Sequence, residues 1–163
     1  MQTKTLDLLD NHQVEKIESL IEKNYGTKIE LKKYSVFKTS IDEKIWLASR
    51  EIFNVNLAKL VVNSIGLYFG KPKRNDKIHL SIEGSQLVGK TATKNIVYLD
   101  EENSLKFLQG MNVKPIKTLS AESHNFVIVK CGEEILGSSL YTDEGIRNLL
   151  PKSRRISFTQ SAP

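Results

Sequence analysis

A chain of 163 residues with 39% hydrophobic content can bury one moderate core or two small ones, which excludes a disordered polyelectrolyte. The 24 Lys and Arg against 19 Asp and Glu leave a formal charge of +5, and the single cysteine, Cys131, excludes a disulfide framework and a Cys-x-x-Cys metal site. The opening "MQTKTLDLLDNHQ" has no long apolar core, and no window approaches the roughly 18 apolar residues of a membrane span, so the expected setting is soluble, reducing and cytoplasmic, with no membrane partner.

Val14, Ile17, Ile21 and Tyr25 recur at helical spacing, with Asp10 and Gln13 placed for a capping box and Gly26 as a stop, so the first helix is expected over residues 11–25. "KIELKKYSVFKT" and "EKIWLAS" read as strands, since β-branched and aromatic residues alternate there with polar ones. Ser49 can cap a second helix through about Ala58. "LVVNSIGLYFG" and "KIHLSIE" then read as two strands joined by a basic loop around Pro72. Residues 1–92 thus form an α/β unit without internal repeats.

The second unit, residues 94–160, opens with the strand "KNIVYLD" and the short helix "SLKFLQG", in which Leu105, Phe107 and Leu108 are apolar and Gly110 is the stop. Strands "NFVIVKC" and "EILGSSLYT" follow across a turn at Glu133-Glu134. Asp143 can cap a short helix "EGIRNLL", and Pro151 ends it before a last strand "RRISFTQ". Several short strands in so few residues suggest a small mixed β-barrel, and the whole chain reads as α+β.

The positive charge is uneven. Residues 1–43 carry seven bases and eight acids, whereas "IRNLLPKSRRISFTQSAP" holds Arg147, Lys152, Arg154 and Arg155 with no acid. A second cluster, "KPKRNDK", sets Lys71, Lys73, Arg74 and Lys77 against Asp76 alone. Each run by itself is ordinary solvated surface; together they point to a polyanion, with nucleic acid first. Phe158 and Tyr68 could stack on bases, though core packing is the better account of each.

Gly84-Ser-Gln-Leu-Val-Gly89-Lys90-Thr91 matches G-x-x-x-x-G-K-T, the phosphate cradle of an NTPase, in which Lys90 would hold the β/γ-phosphates and Thr91 a magnesium ion. That chemistry needs a long helix directly after the loop. Here only Ala92 and Thr93 separate Thr91 from the next strand, too few for a crossover of at least about ten residues, so Ser85 to Lys90 is expected as a short helix or turn. A small nucleotide-binding NTPase or switch is the competing reading. His12, His79 and His124 are scattered, no catalytic triad order or His-x-x-x-His spacing appears, and neither Asp100-Glu101-Glu102 nor Glu133-Glu134 has an identifiable partner. No metal, cofactor or catalytic residue is expected.

In order, "EKIWLAS", "SIGLYFGK", "KIHLSI", "KNIVYLD", "SLKFLQGMNV" and "EEILGSS" resemble the Nip-seven family of ribosome-biogenesis factors, from about Lys44 to Arg155. The resemblance implies an α/β pre-PUA domain followed by a PUA domain, in a compact chain similar to archaeal members. It implies a non-catalytic RNA-binding protein of pre-rRNA processing and large-subunit assembly, with RNA on the PUA domain and assembly or processing proteins on the N-terminal one. On that resemblance Leu108, Gly110, Lys152, Arg154 and Arg155 lie on or beside the RNA face, with Lys106 and Arg147 as neighbours and Lys73 and Arg74 as an extension. Arg154 and Arg155 would be its principal contacts, because guanidinium bonds bidentately and stacks. The chain departs from many PUA domains at Lys117-Thr118-Leu119 and at Ser138-Ser139, where a glycine is usual.

Overall fold

The computed structural model describes residues 5–54 and 66–157. Within them the fold is α+β, with two five-stranded sheets and three α-helices. The first sheet runs in the order β1 (Leu6–Leu8), β2 (Ser35–Thr39), β3 (Ile45–Ala48), β4 (Leu67–Lys73) and β5 (Lys77–Leu80), antiparallel throughout. Helix α1 (Asn11–Tyr25) packs on it, and α2 (Ile82–Gly89) leads out of it. The second sheet comprises β6 (Ile96–Tyr98), β7 (Lys117–Leu119), β8 (Asn125–Cys131), β9 (Glu134–Thr142) and β10 (Gly145–Arg147), with α3 (Glu101–Leu108) between β6 and β7. Its order is β10-β9-β8-β6-β7, only β6 and β8 being parallel, and a Val113–Ile146 bridge draws it into a half-barrel.

The helix termini follow local chemistry. Asp10 Oδ1 accepts from Gln13 N at 2.8 Å while Gln13 Oε1 accepts from Asp10 N at 3.0 Å, the reciprocal box expected, and Gly26 closes α1 at φ 65°. Asp100 caps α3 through Asn103 N at 2.7 Å.

Two clusters of buried side chains divide at the middle of the second sheet. Ile96 and Ile128 face a core that also holds Val14, Ile17, Ile21, Leu47, Phe69 and Val88, so the first core is built from both sheets. Their strand neighbours Val97, Val127 and Val129 face the other way, onto Leu99, Phe107, Ile146 and Leu150. Because β6 and β8 are covered on both faces, they are continuously apolar rather than alternating. Tyr25 is fully buried; its hydroxyl donates to Ile78 O at 2.9 Å, and burial pushes its phenol well above the usual range.

The connection between the sheets is fastened along its length. Thr93 N donates to Tyr25 O and Thr93 Oγ1 to Gly26 O, both at 2.8 Å; Asn95 Nδ2 donates to Asn24 O at 2.6 Å; the hydroxyls of Thr27 and Thr91 lie 2.6 Å apart. Asn95 also accepts from Glu122 N at 2.9 Å, joining α1 to the loop before β8.

Several expectations need correction. The strand expected over "KIELKKYSVFKT" begins only at Ser35: Glu18 accepts from Leu31 N at 3.1 Å, and Leu31–Lys33 form a one-turn 3-10 helix that buries Leu31. After Ser49 comes a 3-10 helix, Arg50–Asn54, and the remainder of the helix expected through Ala58 lies outside the described residues, as does the start of "LVVNSIGLYFG". Lys71, Pro72 and Lys73 belong to β4 rather than to a loop; the turn is Arg74 to Asp76. Glu134 begins β9, leaving Gly132 and Glu133 as the turn.

"EGIRNLL" is not a helix. Asp143 accepts from Ser123 Oγ at 2.5 Å instead of capping, Gly145 takes φ 120°, and β10 returns antiparallel along β9 so that Ile146 is buried against Val113. After Pro151 comes a 3-10 turn, Lys152–Arg154, then extended residues, not the expected strand; Phe158 onward lies outside the described residues. Among the described residues no helix is long and apolar enough to cross a membrane, and no group of three or more His, Cys, Asp or Glu is placed to hold a metal ion.

Candidate nucleic-acid interface

The C-terminal end of α3 brings together three of the expected site residues, Leu108, Gly110 and Arg155. Phe107 is completely buried and anchors the helix on the second core, while Leu108 is half-buried beside it. Gly110 N donates to Phe107 O at 2.9 Å, and its φ of 94° is a conformation that favours glycine. Arg155 lies directly over it: a Cβ at position 110 would sit 2.5 Å from Arg155 Cδ and 2.6 Å from Nε. The guanidinium is held there by Nε donating to Leu150 O at 3.1 Å, and Ile156 N donates to Leu108 O at 2.9 Å. Leu108, Gly110 and Arg155 are therefore one structural unit, with Arg155 half-buried as a clamp.

Asn148 fixes this unit from below and is the residue the sequence did not disclose. Its Nδ2 donates to Phe107 O at 2.7 Å and to Met111 O at 2.9 Å, while its Oδ1 accepts from Leu150 N at 2.9 Å. Its backbone N–H is taken by Asn112 Oδ1 at 2.9 Å. The one available signal is local, an asparagine able to accept from the amide two residues on, ahead of a proline.

The remaining cations divide by partner. Arg154 Nη1 lies 2.6 Å from Glu83 Oε1 on α2, so its charge is directed at the N-terminal unit. Lys106 lies 3.2 Å from Glu102 one turn earlier on α3. Arg147, at the exposed end of β10, and Lys152, on the 3-10 turn, make no ion pair among the described residues. Arg147 edges an open cavity of about 530 Å³ shared with Asn112, His124, Asp143 and Glu144, so acids stand beside it.

Lys73 and Arg74 occupy the tip of the β4–β5 hairpin, both exposed. That hairpin touches the C-terminal unit: Lys77 Nζ donates to His124 O at 2.6 Å, and the His79 ring stacks on Phe126 with centroids 4.9 Å apart. Burial, with Lys73 adding repulsion, lowers the His79 pKa to about 4, so the stacked imidazole is neutral. His79 thus joins the two units and is not free on a strand surface.

The segment Gly84 to Thr91 cannot cradle a phosphate as a loop would. Ser81 caps α2 by accepting from Gly84 N at 2.9 Å, Ser85 N is bonded to Ser81 O at 2.8 Å, and Thr91 N to Val88 O at 3.3 Å. Gly84, Ser85, Val88 and Gly89 are buried, and a Cβ at Gly84 would lie 2.0 Å from Phe69 O, so these glycines serve close helix-to-sheet packing.

Residues 94–156 match the family model described as the methyltransferase RsmF PUA domain. No curated protein matches the sequence. Among solved structures, the chain is similar to a PUA domain from Aeropyrum pernix K1, crystallised as a tartrate complex, with a TM-score of 0.58 at 8% identity over 92% of this chain and 87% of that one. The likeness in fold extends over both sheets, and the two comparisons together support a PUA domain in the C-terminal half of this α+β architecture.

Proposed function

We propose that the chain is a non-catalytic RNA-binding protein that uses its PUA-like half, residues 94–160, to bind RNA and its N-terminal unit, residues 1–92, to meet protein partners. PUA domains are generally RNA-binding modules, and the observation that carries the reading is the end of α3: the Gly110 turn is clamped beneath the Arg155 side chain, and Arg147 and Lys152, on either side of the Asn148 that braces this turn, make no ion pair among the described residues. Because Arg155 fills the space over Gly110, contact with a sugar-phosphate chain falls to these cations, which supply the attraction.

The division of labour differs from the one the basic tail suggests. Arg147 and Lys152, with Lys106 in support, are the phosphate contacts in this proposal; Arg155 positions Gly110, and Arg154 contributes when released from Glu83. The Nip-seven resemblance extends the reading to pre-rRNA and large-subunit assembly in the cytoplasm, with assembly factors on the N-terminal unit. The matched family model is named for a methyltransferase, and the match covers its PUA domain; we read this chain as carrying no chemistry of its own.

Fluorescence anisotropy of the full chain with RNA, across a salt series, tests the proposal. Affinity that falls steeply with salt, and that drops in Arg147→Ala and Lys152→Ala, supports it. Binding no stronger than that of a protein of equal charge rejects it. Lys90→Ala in the same assay should change nothing, whereas saturable ATP or GTP binding lost in that variant would favour the NTPase reading.

A further inference from the structure

We infer that the row Lys117–Tyr98–Lys130, at the outer end of the second sheet, is a contact surface for single-stranded RNA, with Tyr98 stacking a base and the lysines holding the flanking phosphates. The inference rests on the RNA-binding proposal and adds to it a second site and a preference for unpaired strands. Register puts the three side chains together: Tyr98 is paired with Lys117 on β7 and with Lys130 on β8, so all three share one face, side by side.

That face is covered only in part. Ile96 and Ile128, one step back along the same strands, are 1% and 0% exposed beneath the first core. At the Tyr98 row the cover ends: Tyr98 and Lys130 are half-buried, and all of β7 is exposed. Lys117 Nζ stands 5.5 Å from the Tyr98 ring centroid. A base stacked on the ring is a stronger interaction than an exposed cation over it, so a base can displace the ammonium, which then turns to a phosphate.

The charge arrangement argues for an anionic guest. Lys117 and Lys130 sit two strand spacings apart, roughly 10 Å, across one aromatic, and neither makes an ion pair among the described residues. Some lysines elsewhere are matched, as Lys32 is to Glu15 at 2.6 Å and Lys23 to Asp76 at 3.0 Å, whereas this pair, like Lys152, is not. Continuity with the proposed site is provided by residues 111–116, which run from the Gly110 turn to this row; Ile116 N donates to Tyr98 O at 2.9 Å. Met111 and Ile116 are 50% and 65% exposed along that path. Apolar and aromatic surface flanked by lysines suits splayed bases, whereas a duplex hides its bases and offers phosphates alone.

The test uses the full chain with a short oligouridine bearing 5-iodouracil, and with duplex RNA of equal length. Irradiation should cross-link the oligouridine to Tyr98, located by mass spectrometry. The double variant Lys117→Ala, Lys130→Ala should bind the single strand about tenfold more weakly at low salt, with a salt slope lower by about 1.4, and bind duplex as before. Tyr98→Leu, which keeps an apolar side chain on the core, should lose single-strand affinity, and Tyr98→Phe should keep it. If the wild-type chain binds RNA but shows no Tyr98 adduct and the lysine variant is unaffected, this inference fails while the RNA-binding proposal stands. Equal losses for duplex and single strand would overturn the stacking role, and absence of any RNA binding by the wild-type chain would remove both.

Discussion

Arg155 occupies the space that a side chain at Gly110 would need, with its Cδ 2.5 Å from where a Cβ would stand. Gly110 is also at φ 94°, so two independent costs fall on any substitution there. Gly110→Ala should destabilise the protein by about 1–3 kcal/mol in denaturant unfolding. Because Arg155→Ala removes the steric part and leaves the backbone part, the same substitution in an Arg155→Ala background should cost measurably less, and additivity would show that the two residues do not meet.

The Arg154–Glu83 pair is partly exposed, with side chains 47% and 34% accessible, so breaking it should change stability by less than about 1 kcal/mol. Its influence on RNA is expected to be larger. Glu83→Gln releases a guanidinium, and affinity for RNA should rise with a steeper salt dependence; Arg154→Ala should leave both nearly unchanged. The reverse ranking would make Arg154 a primary contact.

Asn148 holds Phe107 O, Met111 O and Leu150 N through one amide. Asn148→Ala leaves those partly buried groups unpaired and should cost about 1–3 kcal/mol. RNA affinity should fall with it, since the same groups set the Gly110 turn, while Asn148→Asp should recover only the Leu150 bond.

The first helix and the central strands were legible in the sequence because their chemistry is local: Asp10, Gln13 and Gly26 mark α1 unaided. What eluded sequence was decided at a distance. Glu18 takes the Leu31 N–H from another element, and Ser123 takes the Asp143 carboxylate that would have capped a helix before Ile146. Arg154 and Arg155 are adjacent and chemically alike, yet one reaches α2 and the other covers Gly110, a distinction no spacing rule contains. The short separation after Thr91 did show that the G-x-x-x-x-G-K-T match lacked its helix, and α2 fulfils the expected short helix there.

His79 predicts a pH effect. Its folded-state pKa, about 4, lies below the ordinary 6.5, so the unfolded chain binds the extra proton first. The stability tied to the neutral ring is fully present above pH 6.5 and is lost as pH falls toward 4, up to about 3 kcal/mol. His79→Phe preserves the stack on Phe126 and should flatten that part of the pH profile in urea titrations; an unchanged slope would assign it to other groups.

The fastening of residues 91–95 to α1 has a consequence for how the molecule could work. A passage held by Thr91, Thr93 and Asn95, between sheets that fill one common core, leaves no swivel. An object bound at the Gly110 turn and another seated on the N-terminal unit are then held at a set distance and angle. In the function proposed above, such a chain would act as a ruler, setting the geometry between an RNA and a protein partner that do not touch.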